Sequence, residues 1–402
     1  MGKVYDFDTP VRRRGTASVK WDEADRIFQG EQLTPLWVAD MDFQVPDEVT
    51  NALERRVHHA VYGYTAISED YLEAVKNWMR KRHHWAIEEK WICHSPGVVT
   101  ALNLIVKGFT KKGDKVLIQP PVYPPFSQAV LNQERELVMN PLININGSYR
   151  MDFEDLEQKL SDPKVKMMIL CSPHNPVGRV WTKDELNIVA TLALKYNVLV
   201  ISDEIHSDLV FKGRVHTPFA ALSDEAAAHS IICTAPSKTF NLAGLQISNI
   251  IIANPEYRKN FLRQTHHFSL GEPNALGVVA AEAAYRFGEN WLDQCITYID
   301  GNVSYVSGFL KKNIPDFKWT PIEGTYLGWI DCRTTGLTKL QLQNFLIHKA
   351  RLALNPGSSF GRNGTGFVRI NLACSHRLLE EAMHRLQDAY MRAQTHTIHE
   401  QH

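Results

Sequence analysis

The sequence predicts an α/β fold in which a large domain carries a mostly parallel central sheet flanked by helices, with a smaller α+β domain beside it. Three observations predict this. Unbroken apolar runs of strand length alternate with amphipathic helical patterns through the middle of the chain. Because those runs are apolar throughout, both faces of the sheet must be covered, as in parallel α/β sheets. After residue 288 the texture changes to one long helical pattern followed by isolated short strands.

In order, the strand candidates are WICH (91–94), KVLIQ (115–119), KMMILC (166–171), VLVIS (198–202), SIICT (230–234) and ISNIII (247–252). Between them, TKDELNIVATLAL places Thr182 three residues before Glu185, a capping box, with Leu186, Val189, Ala190, Ala193 and Leu194 on one face. Asp152 opens FEDLEQKL in the same way. VVTALNLIVKGF reads as a helix starting just after Gly97. Beyond residue 288, Trp291, Cys295, Ile299, Val303, Val306 and Leu310 recur at helical spacing for about six turns. YLGWI and FVRIN then read as strands, and HRLLEEAMHRLQDAYM as a closing amphipathic helix. The expected division is a large domain over 46–288 and a small one from 1–45 together with 289–402.

Of the 402 residues, 44 are Lys or Arg and 44 Asp or Glu, so no basic excess points to nucleic acid or an anionic membrane. No run approaches the roughly 18 apolar residues of a membrane span, and MGKVYDFDTP has no apolar signal region; a cytoplasmic protein is expected. The six cysteines include no C-x-x-C pair, and Cys93, Cys171 and Cys233 fall in strand-like apolar runs, which predicts buried free thiols. The His-containing tail 394–402 reads as a frayed terminus and not as a metal site.

Ligands of open α/β sheets bind outside the carboxyl ends of the strands. Here the strands are followed in turn by SPGVV, PPVYPP, SPHNP, DEIH and APSK, which bring Gly97, Tyr123, Asn175, Asp203 and Lys238 to one rim. A backbone donor, an aromatic face, an amide, a carboxylate and an amine suit a pyridoxal 5′-phosphate site. No charged residue stands near Lys238 in TAPSKTFNLAG, which favours a neutral, nucleophilic amine able to hold the cofactor aldehyde as an imine. Asp203 would pair with the pyridine nitrogen, Asn175 donate to the ring's phenolic oxygen, and Tyr123 stack on the ring. The phosphate would sit on the N–H groups of Gly97, Val98 and Val99 at a helix start, with Ser237 adding a hydroxyl. In FVRIN, alternation puts Arg369 opposite Val368 and Ile370, so a guanidinium facing the inter-domain cleft could take a substrate carboxylate.

These motifs resemble the fold type I pyridoxal-phosphate enzymes of the aminotransferase class I/II superfamily, through SPHNPVGRVW, VLVISDEIHSDLVF, TAPSKTFNLAGLQ and FVRINLAC. More narrowly the chain is similar to the cystathionine β-lyase branch of the MalY/PatB type, through RRGTASVKWD, PLWVADMDF, YGYT, SPGVV and VYPPF. The resemblance spans residues 5 to 393 and implies the same roles for Lys238, Asp203, Asn175, Tyr123 and Arg369. It also implies that Tyr64 reaches the cofactor phosphate of a neighbouring subunit, and hence a homodimer with shared active sites. Two positions depart from the aminotransferase pattern: Gln246 stands where many members carry an arginine, and His206, beside the cofactor, where many carry a tyrosine.

The activity implied is α,β-elimination from L-cystathionine or a related cysteine S-conjugate, yielding pyruvate, ammonia and a thiol. Lys238 would move the Cα proton, Lys238 or Tyr123 would protonate the leaving sulfur, and Trp37 and the Ala39 backbone would shape the pocket for the distal side chain. An aminotransferase using the same residues is the alternative. Keto-acid-dependent amino transfer distinguishes it.

Overall fold

The computed structural model describes residues 3–399. Its centre is a seven-stranded sheet of β1 (Ile92–Ser95), β2 (Lys115–Ile118), β3 (Glu136–Met139), β4 (Val165–Cys171), β5 (Leu199–Asp203), β6 (Ser230–Thr234) and β7 (Ser248–Ile251), in the order β1-β7-β6-β5-β4-β2-β3. Only β7 runs against its neighbours, so the other six strands share one direction and one carboxyl rim.

Side chains alternate between the two faces from Met167 to Cys171. Met167, Ile169 and Cys171 enter one core while Met168 and Leu170 enter the other. Helix α1 (Val98–Phe109) covers the first face with Ala101, Leu102 and Ile105; α2 (Phe153–Leu160) and α3 (Lys183–Lys195) contribute Leu156, Leu160, Leu186 and Val189 to the second. The sheet is thus buried on both sides, as its unbroken apolar runs require. The caps form as expected: Thr182 and Glu185 make the reciprocal capping box, and the Asp152 side chain accepts from the Asp155 N–H.

A second, antiparallel sheet consists of β8 (Lys318–Trp319), β9 (Leu327–Asp331), β10 (Asn355–Pro356) and β11 (Phe367–Asn371), in the order β8-β9-β11-β10. Val368, Ile370 and Ile330 pack with Leu379, Met383 and Leu386 of α5 (His376–His399). At roughly 1.5–3 kcal/mol for each fully buried aliphatic side chain, that packing orients β11 firmly. Helix α4 (Glu289–Asn313), about 37 Å long at 1.5 Å per residue, gives Trp291, Cys295 and Ile299 to the core of the large sheet and Val306 and Leu310 to that of the small one.

The first 45 residues touch both parts. Thr34–Pro35 pairs in parallel with Leu352–Ala353 beside the small sheet, whereas Phe7 and Phe43 pack on Trp291 and Tyr298. All six cysteines are buried and free. Among the described residues no helix is long and apolar enough to cross a membrane, and no group of His, Cys, Asp or Glu is placed to hold a metal. The last residues of the 394–402 tail lie outside the described residues.

Candidate active site

The carboxyl rim of the large sheet encloses a cavity of about 200 Å³. Gly97, Val98, Val99, Tyr123, Asn175, Asp203, His206, Ser237, Lys238 and Ala39 all line it, together with Gln246. The strand ends therefore converge, and each side chain owes its position to the turn that follows its strand.

Lys238 sits on a four-residue helical turn, Pro236–Thr239, whose first position is a proline with the fixed φ that a helix start needs. Its Nζ donates to the Ala39 carbonyl at 2.6 Å, and the Tyr326 hydroxyl donates to the same oxygen at 2.9 Å. The side chain borders the cavity but its amine lies deep in the protein. Burial first, and then the Arg369 charge, lowers that amine to about 8, against the opposing pull of Asp40 and Asp203. A neutral fraction therefore exists near neutral pH.

Asp203 ends β5, is buried, and takes one hydrogen bond, from the Ile205 N–H at 3.2 Å. Burial pushes its carboxyl up to about 7; the Glu204 charge adds to this and Lys238 opposes it. Arg369 is equally buried, and its partners are neutral: Nη1 donates to Asn175 Oδ1 at 3.1 Å, and Nη2 to the Trp37 carbonyl and Asn355 Oδ1, both at 2.8 Å. Its guanidinium lies over the Phe360 ring, and its Nε has no partner among the described residues. Burial lowers it to about 10, partly offset by Tyr123 and Tyr326. The cavity is thus lined by a buried carboxylate that makes no ion pair among the described residues; the guanidinium, which makes none there either, is not itself a lining residue but is hydrogen-bonded to Asn175, which is.

His206 is buried with an unpartnered Nδ1, and burial, Lys238 and Arg369 lower it to about 3, so the ring is neutral. The half-buried Tyr123 hydroxyl is raised, by burial first and by Asp203 second. At the other end of the cavity, Gly97 has φ +139°, which favours glycine, and α1 has no side-chain cap. The first intrahelical bond there is from the Ala101 N–H to the Gly97 carbonyl, leaving the N–H groups of residues 98 to 100 free for an anion.

These features fit pyridoxal 5′-phosphate: an uncapped helix start for its phosphate, a desolvated amine for its aldehyde, and a buried carboxylate lacking a cation for its ring nitrogen. Asn175 keeps its amide nitrogen free of protein partners among the described residues, so a donor to the ring oxygen remains.

Trp37 is placed otherwise than expected, and Tyr64, expected at a neighbouring subunit's phosphate, stands apart from this chain's cavity. Trp37 contributes its carbonyl to Arg369, but its ring packs on Phe28 and its Nε1 donates to the Lys20 carbonyl, away from the cavity. Tyr64 is 95% exposed on the irregular stretch between helices 47–58 and 69–83 and lies outside the cavity of its own chain. Conversely, Tyr326 and Asn355 belong to the site without having been singled out. Tyr326 immediately precedes the strand in YLGWI and reads as core, and Asn355 lies in a strand of two residues.

Residues 35–43 tie the two halves of the site together. Asn371, two residues after Arg369, donates to the Val38 and Asp40 carbonyls at 2.6 Å each, and Asn241, three after Lys238, exchanges hydrogen bonds with the Met41 backbone. Arg13 and the fully buried Lys20 pair with Asp42 from the other side.

Residues 31–386 match the family of aminotransferase class I and II. The chain belongs to that family. It is 45% identical to cystathionine beta-lyase PatB of Bacillus subtilis over 96% of this chain and 99% of that protein. It is 33% identical to protein MalY of Escherichia coli over 94% and 97%, respectively. Among solved structures, cystalysin of Treponema denticola, which contains pyridoxal 5′-phosphate, superposes with a TM-score of 0.94 at 42% identity over 97% of this chain and all of that one. In this family member the departures at Gln246 and His206 both face the cavity.

Proposed function

We propose that this chain is a pyridoxal-phosphate-dependent C–S β-lyase that eliminates the thiol from L-cystathionine or a related cysteine S-conjugate, releasing pyruvate and ammonia. One observation carries the reading: a desolvated lysine and a buried carboxylate line one cavity, and a buried guanidinium is hydrogen-bonded to Asn175 of the same lining, neither the carboxylate nor the guanidinium being ion-paired among the described residues. Similarity to PatB, named a cystathionine beta-lyase, and to cystalysin supports the choice of reaction within the family.

When bound, the cofactor supplies an electron sink conjugated to the substrate nitrogen. The protein's own groups do the rest. Asp203 would hold the cationic ring nitrogen, and Asn175, Tyr123, His206, Ser237, Gly97, Val98 and Val99 would keep the ring and phosphate in place. Arg369, with three of its five N–H groups already occupied, offers the remainder to the substrate carboxylate and so fixes which Cα bond faces the amine. Lys238, released from its carbonyl bond to Ala39, takes the Cα proton and returns a proton to the departing sulfur, with Tyr123 as the second donor in reach of the cavity. An amine near 8 serves both as base and as acid close to working pH.

The proposal extends to a cytoplasmic homodimer in which Tyr64 completes the phosphate site of the partner. Its support is the run of exposed apolar side chains from Val57, near the end of helix 47–58, to Val61, Tyr62 and Tyr64 on the irregular stretch after it, together with six thiols left unpaired. The 46–288 unit and the unit of 1–45 with 289–402 are proposed as its two domains, since β11 and α5 share a core of their own.

The deciding experiment incubates purified, cofactor-loaded protein with L-cystathionine and no keto acid. Pyruvate and ammonia in equal amounts are expected. Amino transfer that requires a keto acid, without pyruvate from cystathionine alone, would assign an aminotransferase instead.

A further inference from the structure

We propose that Asp208 and Thr239 form a positioning pair for Lys238, a device that sets where the reactive amine stands relative to Asp203. The inference rests on the functional reading above.

The lysine's own turn is weak. Pro236–Thr239 is four residues long and lacks a side-chain cap, and isolated helical segments of that length do not persist unaided. Its backbone ties are the bonds from Phe240 N to the Pro236 carbonyl and from Leu242 N to the Ser237 carbonyl. Besides the bonds of Lys238 and Asn241 to residues 39–43, it is held by the residue next to Lys238: the Thr239 hydroxyl, fully buried, donates to Asp208 Oδ2 at 2.7 Å. Asp208 is anchored in turn from a separate helix, because its Oδ1 accepts from Trp78 Nε1 at 2.9 Å and contacts His83 Nε2 at 2.8 Å.

Burial alone would raise the Asp208 carboxyl, yet His83, Thr239 and Trp78 hold it below the usual carboxylate range. It is therefore a charged acceptor held by three side chains, and a stiff anchor. Its place in the chain is informative. Asp208 lies five residues after Asp203, at the end of the turn that leaves β5. One short segment thus sends Asp203 into the cavity and Asp208 beneath the lysine turn. The same construction recurs one residue past Asp203, where the buried Glu204 accepts from Ser202 Oγ and the Phe219 N–H and pairs with His216. The His216 ring meets His83 edge-on at 5.5 Å, so the two anchors brace each other.

Misplacing a reacting group by about 1 Å costs on the order of a hundredfold in rate. Loss of the Thr239 hydroxyl should therefore appear in the chemical step and leave substrate capture by Arg369 alone. Cofactor-loaded Thr239→Ser and Thr239→Val proteins are compared with the native enzyme for kcat and KM of pyruvate release. The pH midpoint of the bound cofactor's visible absorbance and Tm are measured alongside. Thr239→Ser, which keeps the donor, is expected within about threefold of native kcat, whereas Thr239→Val should lose roughly ten- to hundredfold. In Thr239→Val, KM should stay within about threefold and the absorbance midpoint should shift. A Thr239→Val enzyme with native kcat and an unmoved midpoint, whatever its Tm, overturns the proposal. Thr239→Ala replaces the valine variant if that protein does not fold. A native protein that binds cofactor but releases no pyruvate refutes the functional reading alone, since the absorbance midpoints still decide the positioning role. One that binds no cofactor overturns both.

Discussion

Replacing Asp203 by Asn separates the stability of the fold from its chemistry. The carboxyl is buried, takes a single backbone hydrogen bond, and is raised from 3.8 to about 7. Because the folded-state value lies above the unfolded one, the folded protein binds the extra proton between about pH 4 and pH 7. Stability from this group thus falls as pH rises across that window and is fully lost above it. At 1.36 kcal/mol per pH unit, the penalty above pH 7 reaches about 4 kcal/mol as an upper figure. Asn pays no such charge penalty while keeping the shape, so cofactor-free Asp203→Asn should melt higher than the native chain at pH 8, and the gap should close by pH 4. The loaded enzyme should respond in the opposite sense. Asp203 then faces the ring-nitrogen cation, and removing one member of a buried pair costs about 3–5 kcal/mol. That corresponds to roughly a hundred- to several-thousandfold in kcat/KM for pyruvate release. Thermal melts at the two pH values and steady-state rates check both halves. Parallel melting curves for the two proteins, or a rate loss under tenfold, would refute the reasoning.

Arg369→Lys keeps the charge but not the fork that reaches Asn175, Trp37 and Asn355 at once, so KM for cystathionine should rise by at least tenfold with a smaller change in kcat; a steady-state comparison decides this. Tyr64→Phe should weaken cofactor retention by about tenfold, the worth of one hydrogen bond to a charged group, as measured by cofactor loss on dialysis. Lys20→Met removes a fully buried cation from Asp42 and should lower Tm measurably at neutral pH; the partners Arg13 and Trp21 keep the cost at or below about 3 kcal/mol.

The convergence of Gly97, Tyr123, Asn175, Asp203 and Lys238 was legible because each follows an apolar run that can only be a covered strand. Arg369 was legible because Val368 and Ile370 fix the face of its strand. The reversed direction of β7 was not, since an apolar run carries no sign of polarity along the sheet. Strand β3 escaped because ELVM lies at the sheet edge, partly exposed, and is too short for alternation to stand out. That the Trp37 and Ala39 carbonyls serve Arg369 and Lys238 escaped for another reason, since a backbone acceptor leaves no mark in the identity of its residue; Asn355 escaped because its strand is two residues long. The Trp37 ring misled because a large aromatic before a functional carbonyl attracts the role its backbone performs.

The linkage through residues 35–43 would give the amino-terminal segment a part in the timing of the proposed reaction. Any rocking of the small sheet that moves Arg369 pulls Asn371, and with it the oxygen on which the lysine rests. In the proposed lyase, gripping a carboxylate at one side and freeing the amine at the other would thereby be geared to each other. Chimeras of related enzymes joined near residue 45 would couple an arginine from one parent to a lysine rest from the other, and would inherit the gearing of neither.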